Sequence, residues 1–260
     1  MKEHIFFAHA NGFPAEVYND LFQQLPQFDI SYISKLGHGN YTLKNSWRDI
    51  TPEIIDYLEE TYTEPVWAIG HSFGAIVLAF AAEQRPDLFK GLIMMDPPVL
   101  SRKIRWMMAI SQFFGLSHKI MPLAKKAANR SDQFPSRTFL AEKLRNKTLF
   151  KNFSNASFNN YIEHGWKDTG NGIELAFSKE LESKIFSLTY PFYSSIKLSI
   201  PSYYLYATHG DIADTRSIDS IMHLFPKTKF IPIKDGGHLF PFEDTEKCIK
   251  AIHDILKLNT

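Results

Sequence analysis

Six short apolar runs, Ile5–Ala8, Ile30–Ser34, Val66–Ile69, Leu92–Met95, Tyr203–Ala207 and Phe230–Ile233, each end at turn residues. They alternate with stretches of helical spacing, which is the rhythm of a parallel sheet whose strands are buried on both faces. Val17, Leu21 and Leu25 repeat at helical spacing and stop at Pro26. Thr51-Pro52 reads as an N-cap followed by proline at the first helical position, with Ile54, Ile55 and Leu58 as that helix's apolar stripe. A third helix starts just after Ser72, runs through the small residues of Ala75–Ala82 and ends before Pro86.

The rhythm breaks between Val99 and Ser199, where no clear strand is visible and helical segments follow one another from Lys103–Phe114 onward. Because the sheet pattern resumes afterwards, this stretch reads as an insertion and not as an independent domain. The expected organisation is a core of 1–98 and 199–260 carrying a helical cap of 99–198 over the carboxyl ends of the strands, where open α/β sheets bind ligands.

At 260 residues with 44% hydrophobic and 22% charged positions, the composition is that of one folded domain. The net charge of +1 gives no reason to expect nucleic acid as a partner. Cys248, the single cysteine, excludes an internal disulfide and falls among Ile249, Ile252 and Ile255, so a buried, inert thiol is expected. Neither a leader pattern nor an apolar stretch of membrane-spanning length is visible, and the expected location is the cytoplasm.

Chemistry concentrates in Gly70-His71-Ser72-Phe73-Gly74, a G-x-S-x-G pentapeptide entered from the buried run Val66–Ile69 and left as a helix. That setting forces a serine into a tight exposed turn, with the helix N-terminus presenting N–H groups to developing negative charge. Ser72 is the expected nucleophile. Its expected base is His238 in Asp235-Gly236-Gly237-His238, which follows the last strand; His9, His38 and His71 are read as structural. A carboxylate must orient the base. Asp211, after Tyr203–Ala207, ranks first, with Asp214 in the same loop and Asp96 after Leu92–Met95 as alternatives. The loop His9-Ala10-Asn11-Gly12-Phe13-Pro14 could supply a backbone oxyanion donor from Asn11 or Phe13 beside that of Phe73.

Taken in order, the oxyanion loop, Gly37-His38-Gly39, the Gly70–Gly74 elbow, an acid loop and Gly237-His238 resemble the α/β-hydrolase superfamily over nearly the whole chain. The resemblance implies a mostly parallel sheet flanked by helices, an inserted cap, a Ser-His-Asp triad and no cofactor or metal. The two antiparallel edge strands common in that family are not expected here. It also implies hydrolysis of a carboxylic ester or thioester of a small or acyl-chain molecule. C–C bond hydrolysis, a cofactor-free lyase reaction, or a non-catalytic ligand-binding protein on the same scaffold are the alternatives. Serine at the elbow argues against dehalogenase or epoxide-hydrolase chemistry, for which the family resemblance implies aspartate at that position. H-E-x-x-H spacing is absent, which disfavours a metal-dependent hydrolase.

From Ser101 to Lys151 the chain holds twelve Lys and Arg against two Asp and Glu, an excess concealed by the near-neutral total. Arg102–Phe114 mixes these bases with Trp106, Met107, Met108, Phe113 and Phe114. One reading is a lid that lines an acyl pocket and makes weak contact with a membrane surface; the other is ordinary cap core with a solvated basic face.

Overall fold

The computed structural model describes residues 2–99, 102–114, 121–188, 195–210 and 218–257. Six strands form one sheet: β1 (Glu3–Ala8), β2 (Phe28–Tyr32), β3 (Val66–His71), β4 (Phe89–Met95), β8 (Ser202–Ala207) and β9 (Lys229–Ile233). Their order is β2-β1-β3-β4-β8-β9 and every neighbouring pair is parallel. The second strand lies two residues earlier than its apolar run suggested, because Phe28 pairs with Glu3 at the sheet edge.

Side chains alternate across this sheet, as a two-residue period requires. Phe6, Ala68, Leu92, Met94 and Tyr204 enter one core with α2 (Thr51–Thr61) and α3 (Phe73–Gln84). Ile5, Phe7, Trp67, Ile69, Ile93, Met95, Tyr203 and Leu205 enter the other, with α1 (Asn19–Gln23) and the C-terminal helix Thr245–Lys257. The α3 helix is apolar on every side, and residues Phe73 through Ala82 are all buried. Cys248 is buried in the second core with Sγ 3.4 Å from Met95 Sδ, and burial pushes its thiol pKa up.

Thr51 does not cap α2. The chain enters through a 3₁₀ turn, Trp47–Ile50, whose start is capped by Ser46 accepting from the Arg48 N–H at 3.2 Å, so Thr51 is already helical. Asp49 completes that start by accepting from the Ser46 N–H at 3.0 Å.

The segment between β4 and β8 is not purely helical. Besides α4 (Arg102–Phe113) and the helices Pro122–Ala128, Arg137–Arg145, Asn155–His164 and Lys179–Ser187, it holds three short strands: β5 (Gln133–Phe134), β6 (Trp166–Asp168) and β7 (Ile173–Leu175). They pair antiparallel in the order β5-β7-β6. The segment is fastened to loops at the carboxyl ends of the main strands. Asn11 Nδ2 donates to the Glu182 carbonyl at 3.0 Å, Trp47 Nε1 to the Ile185 carbonyl at 3.0 Å, and the Ser154 N–H to the Phe242 carbonyl at 2.9 Å.

Candidate active site

At the end of β3 the chain turns sharply into α3, and Ser72 takes φ 53° and ψ −119° to do so. The turn is tight enough that a Cβ on Gly74 would lie 2.4 Å from the Ala8 carbonyl oxygen, and one on Gly70 2.7 Å from Ala75 Cα. Only glycine fits at either place. Two further described non-glycine residues with positive φ, Asp96 at 44° and Asp235 at 62°, also lie just past strand ends, those of β4 and β9. Each such residue stores about 1–3 kcal/mol of backbone strain, held in place by the packed strands beneath.

Register then brings three side chains together. His71 pairs with Met95, so Asp96 emerges level with Ser72, and the Ser72 N–H donates to the Met95 carbonyl at 2.9 Å. The loop after β9 reaches back across the end of β8, where the His209 N–H donates to the Gly236 carbonyl at 3.1 Å. That carries His238 between the other two. Its Nδ1 is 2.6 Å from Asp96 Oδ2 and its Nε2 is 3.0 Å from Ser72 Oγ. Asp96 is fully buried, and its other oxygen, Oδ1, accepts from the Ala207 N–H at 2.9 Å. Since an ionised carboxylate only accepts, the His238 proton resides on Nδ1, and Nε2 is left to accept from the Ser72 hydroxyl.

The carboxylate on His238 is therefore that of Asp96, which the sequence ranked behind Asp211. Asp211 and Asp214 lie outside the described residues. Placing Asp96 required the sheet order, in which β4 adjoins the nucleophile strand directly.

His71, His9 and His38 make structural hydrogen bonds. Tyr18 Oη accepts from the Ala10 N–H at 3.1 Å and donates to His71 Nδ1 at 2.7 Å; His71 Nε2 then donates to the His238 carbonyl at 2.9 Å. One buried chain thus links the loop after β1, the serine turn and the histidine loop. His9 is the opposite tautomer: Nε2 accepts from the Leu36 N–H at 2.7 Å, and Nδ1 donates to the Ala10 carbonyl at 2.8 Å. Burial holds both rings neutral, pushing the pKa of His71 down to about 3 and that of His9 down to about 4. His38 Nε2 accepts from the Ser178 N–H at 3.0 Å, tying the loop after β2 to the inserted segment.

In the loop after β1, Asn11 and Gly12 form the corner of a turn closed by the Phe13 N–H donating to the Ala10 carbonyl at 3.1 Å. Gly12 supplies the φ of 80° that this corner needs. The Phe13 N–H, expected as an alternative oxyanion donor, is thereby occupied. Of the expected donors this leaves Asn11 and Phe73; the Phe73 N–H, as the first of α3, has no acceptor within the helix. Two residues not singled out from sequence support this loop from above. Glu182 has its carboxylate within 2.8 Å of where a Gly12 Cβ would sit, and it pairs with Arg130 at 2.7 Å. Arg130 also donates to Tyr161 Oη at 2.7 Å, and Tyr161 packs its ring against Phe13. No local signal marks either residue, because their partners are at least thirty positions away. Among the described residues no three His, Cys, Asp or Glu side chains gather so as to hold a metal ion.

A family model for the alpha/beta hydrolase fold matches residues 11–245. The chain belongs to the α/β-hydrolase family. Over shorter stretches it is similar to monoglyceride lipase of Rattus norvegicus, 27% identical across 38% of this chain and 36% of the relative. It is also similar to lipase LipV of Mycobacterium tuberculosis, 32% identical across 32% of this chain and 33% of the relative. The chain thus spans only about a third of the length of the curated relatives it matches. Among solved structures, E-2-(acetamidomethylene)succinate hydrolase superposes with a TM-score of 0.78 at 16% identity, covering 98% of this chain and 91% of that one. A thioesterase domain from the curacin biosynthetic pathway gives 0.70 at 14% identity, covering 97% and 91%. At such identities these two show the shared fold.

Proposed function

We propose that this hydrolase cleaves a carboxylic ester or thioester through Ser72, His238 and Asp96. The observation that carries the reading is the unbroken hydrogen-bond chain Ser72 Oγ, His238 Nε2, His238 Nδ1, Asp96 Oδ2, with distances of 3.0 and 2.6 Å. In the first half-reaction Ser72 Oγ attacks the carbonyl carbon while its proton passes to His238 Nε2. Asp96 stabilises the imidazolium that forms. Negative charge on the former carbonyl oxygen is met by the N–H groups of Phe73 and Asn11. Collapse expels the alcohol or thiol, which takes the proton from His238. Water, deprotonated by the same nitrogen, then attacks the acyl-serine; the acid leaves and Ser72 regains its proton.

Names among the curated relatives, two lipases, support acyl-oxygen cleavage over C–C cleavage. A vestigial binding protein has no need of the strained turns at Ser72, Asp96 and Asp235. The test is turnover of p-nitrophenyl esters and acyl thioesters of graded chain length by the parent protein and Ser72→Ala. Loss of at least about a thousandfold in the folded variant supports the reading, and unchanged turnover overturns it.

A further inference from the structure

Helix α4 presents two unlike faces. Met108 and Ser111 are buried against the protein, whereas Trp106 (49% exposed), Met107, Ile110, Phe113 (85%) and Phe114 (66%) stand out into solvent. Their spacing, 106-110-113 with 107 and 114 alongside, gathers five large apolar side chains on one side of the twelve-residue helix and the turn residue Phe114 that follows it. Gln112 holds this helix to the Asn45 carbonyl at 2.8 Å. Two residues on, the Trp47 ring meets that of Phe73 edge-on, 5.4 Å between centres. The helix is thereby anchored near the loop next to the serine turn. The following helix, Pro122–Ala128, adds exposed Leu123, Lys125 and Lys126.

Charge identifies what would cover this surface. Between Asp96 and Asp132 the chain contains no acidic residue, but it contains Arg102, Lys103, Arg105, Lys119, Lys125, Lys126 and Arg130. Of these, Arg130 is neutralised by Glu182. Aromatic and aliphatic side chains in a helix whose first turn is basic form the pattern of a segment lying in a lipid interface. There the rings enter the headgroup boundary and the bases meet anionic headgroups. A second copy of the chain would bring the acid-free stretch against itself, opposing like charges.

We propose that α4 and the helix Pro122–Ala128 dock on an anionic bilayer surface, placing the candidate site beside a source of amphiphilic acyl substrates. The docking claim stands apart from the hydrolysis reading, because binding can be measured on Ser72→Ala as well as on the parent.

The protein carries its own reporter. Of four tryptophans only Trp106 is exposed; Trp47, Trp67 and Trp166 are buried. Vesicles of phosphatidylcholine mixed with phosphatidylglycerol should shift tryptophan emission to the blue and co-sediment with the protein. Phosphatidylcholine alone should bind at least about tenfold less, and raised salt should weaken binding to the anionic vesicles. In Trp106→Phe the shift should vanish while co-sedimentation persists. Phe113→Ser with Phe114→Ser, at highly exposed positions that leave folding intact, should lower partitioning at least about tenfold. Lys125→Glu with Lys126→Glu should lower it on anionic vesicles only.

Absence of binding to anionic vesicles overturns the proposal, as does equal binding to both vesicle types. So does a dimer in sedimentation velocity that the Phe113→Ser, Phe114→Ser variant dissolves, since a second copy would then occupy the face.

Discussion

Replacing Asp96 with asparagine changes one atom and leaves the side-chain shape intact. Both oxygens of Asp96 are used: Oδ1 accepts from the Ala207 N–H and Oδ2 from His238 Nδ1, and the Asp96 side chain itself is fully buried. If the asparagine oxygen stays on Ala207, its NH₂ faces His238 and can only donate. Nδ1 must then lose its proton, Nε2 gains one, and the Ser72 hydroxyl faces a donor in place of an acceptor. The wrong tautomer costs a serine-histidine-acid site about 10⁴-fold in turnover, about 5.4 kcal/mol of barrier. If the amide flips, its NH₂ opposes the Ala207 N–H, and a buried unpaired donor costs about 1–3 kcal/mol of stability. The first arrangement is therefore expected: turnover down about 10⁴-fold with thermal stability lowered by no more than about 3 kcal/mol. The assay is turnover at saturating ester, with a melting curve for each variant. Asp211→Asn and Asp214→Asn should stay within about tenfold of the parent. Turnover of Asp96→Asn within that range, alongside collapse of Asp211→Asn, would refute the reasoning and move the acid to the loop after β8.

Tyr18→Phe strands His71 Nδ1 and the Ala10 N–H in the core, so urea denaturation should show a loss of about 3 kcal/mol; a change under about 0.5 kcal/mol would mean the chain of bonds is not formed. Gly74→Ala sets a Cβ against the Ala8 backbone and should yield no folded protein, whereas Gly170→Ala, with φ 82° and nothing within 4 Å, should fold with only the modest cost of its positive φ; circular dichroism distinguishes them. Acid should weaken the fold through His9 and His71. Their folded pKa values of about 4 and about 3 lie below the usual 6.5, so the unfolded chain takes up protons first as pH falls through 6.5. Stability should drop by about 1.4 kcal/mol per pH unit for each ring until the folded pKa is reached. Glu53 and Glu243, raised by burial, act in the opposite sense where they begin to protonate. Denaturation midpoints equal at pH 7 and pH 5 would contradict the neutral-ring assignment.

The serine and histidine were legible because their signals are local. A buried run entering G-x-S-x-G, and Gly237-His238 after the last strand, each lie within one strand and its turn. The acid was not, because three aspartates follow strands in the right chain order and only lateral strand order separates them. Once β4 lies directly beside β3, Asp96 is one strand from Ser72. The same limit hid Tyr18, whose hydroxyl bridges Ala10 and His71, behind the apolar spacing of Val17 and Leu21. The three short strands between β4 and β8 were missed for another reason: Gln133–Phe134, Trp166–Asp168 and Ile173–Leu175 are too short to express a period of two. Thr51-Pro52 misled because Ser46, five residues earlier, starts the helical path.

The central claim is that Ser72 is an activated nucleophile, and a fluorophosphonate tests it without knowledge of the substrate. Intact-protein mass should rise by one phosphonyl group in the parent and not in folded Ser72→Ala. An adduct that persists in Ser72→Ala, or none on the folded parent, would contradict it.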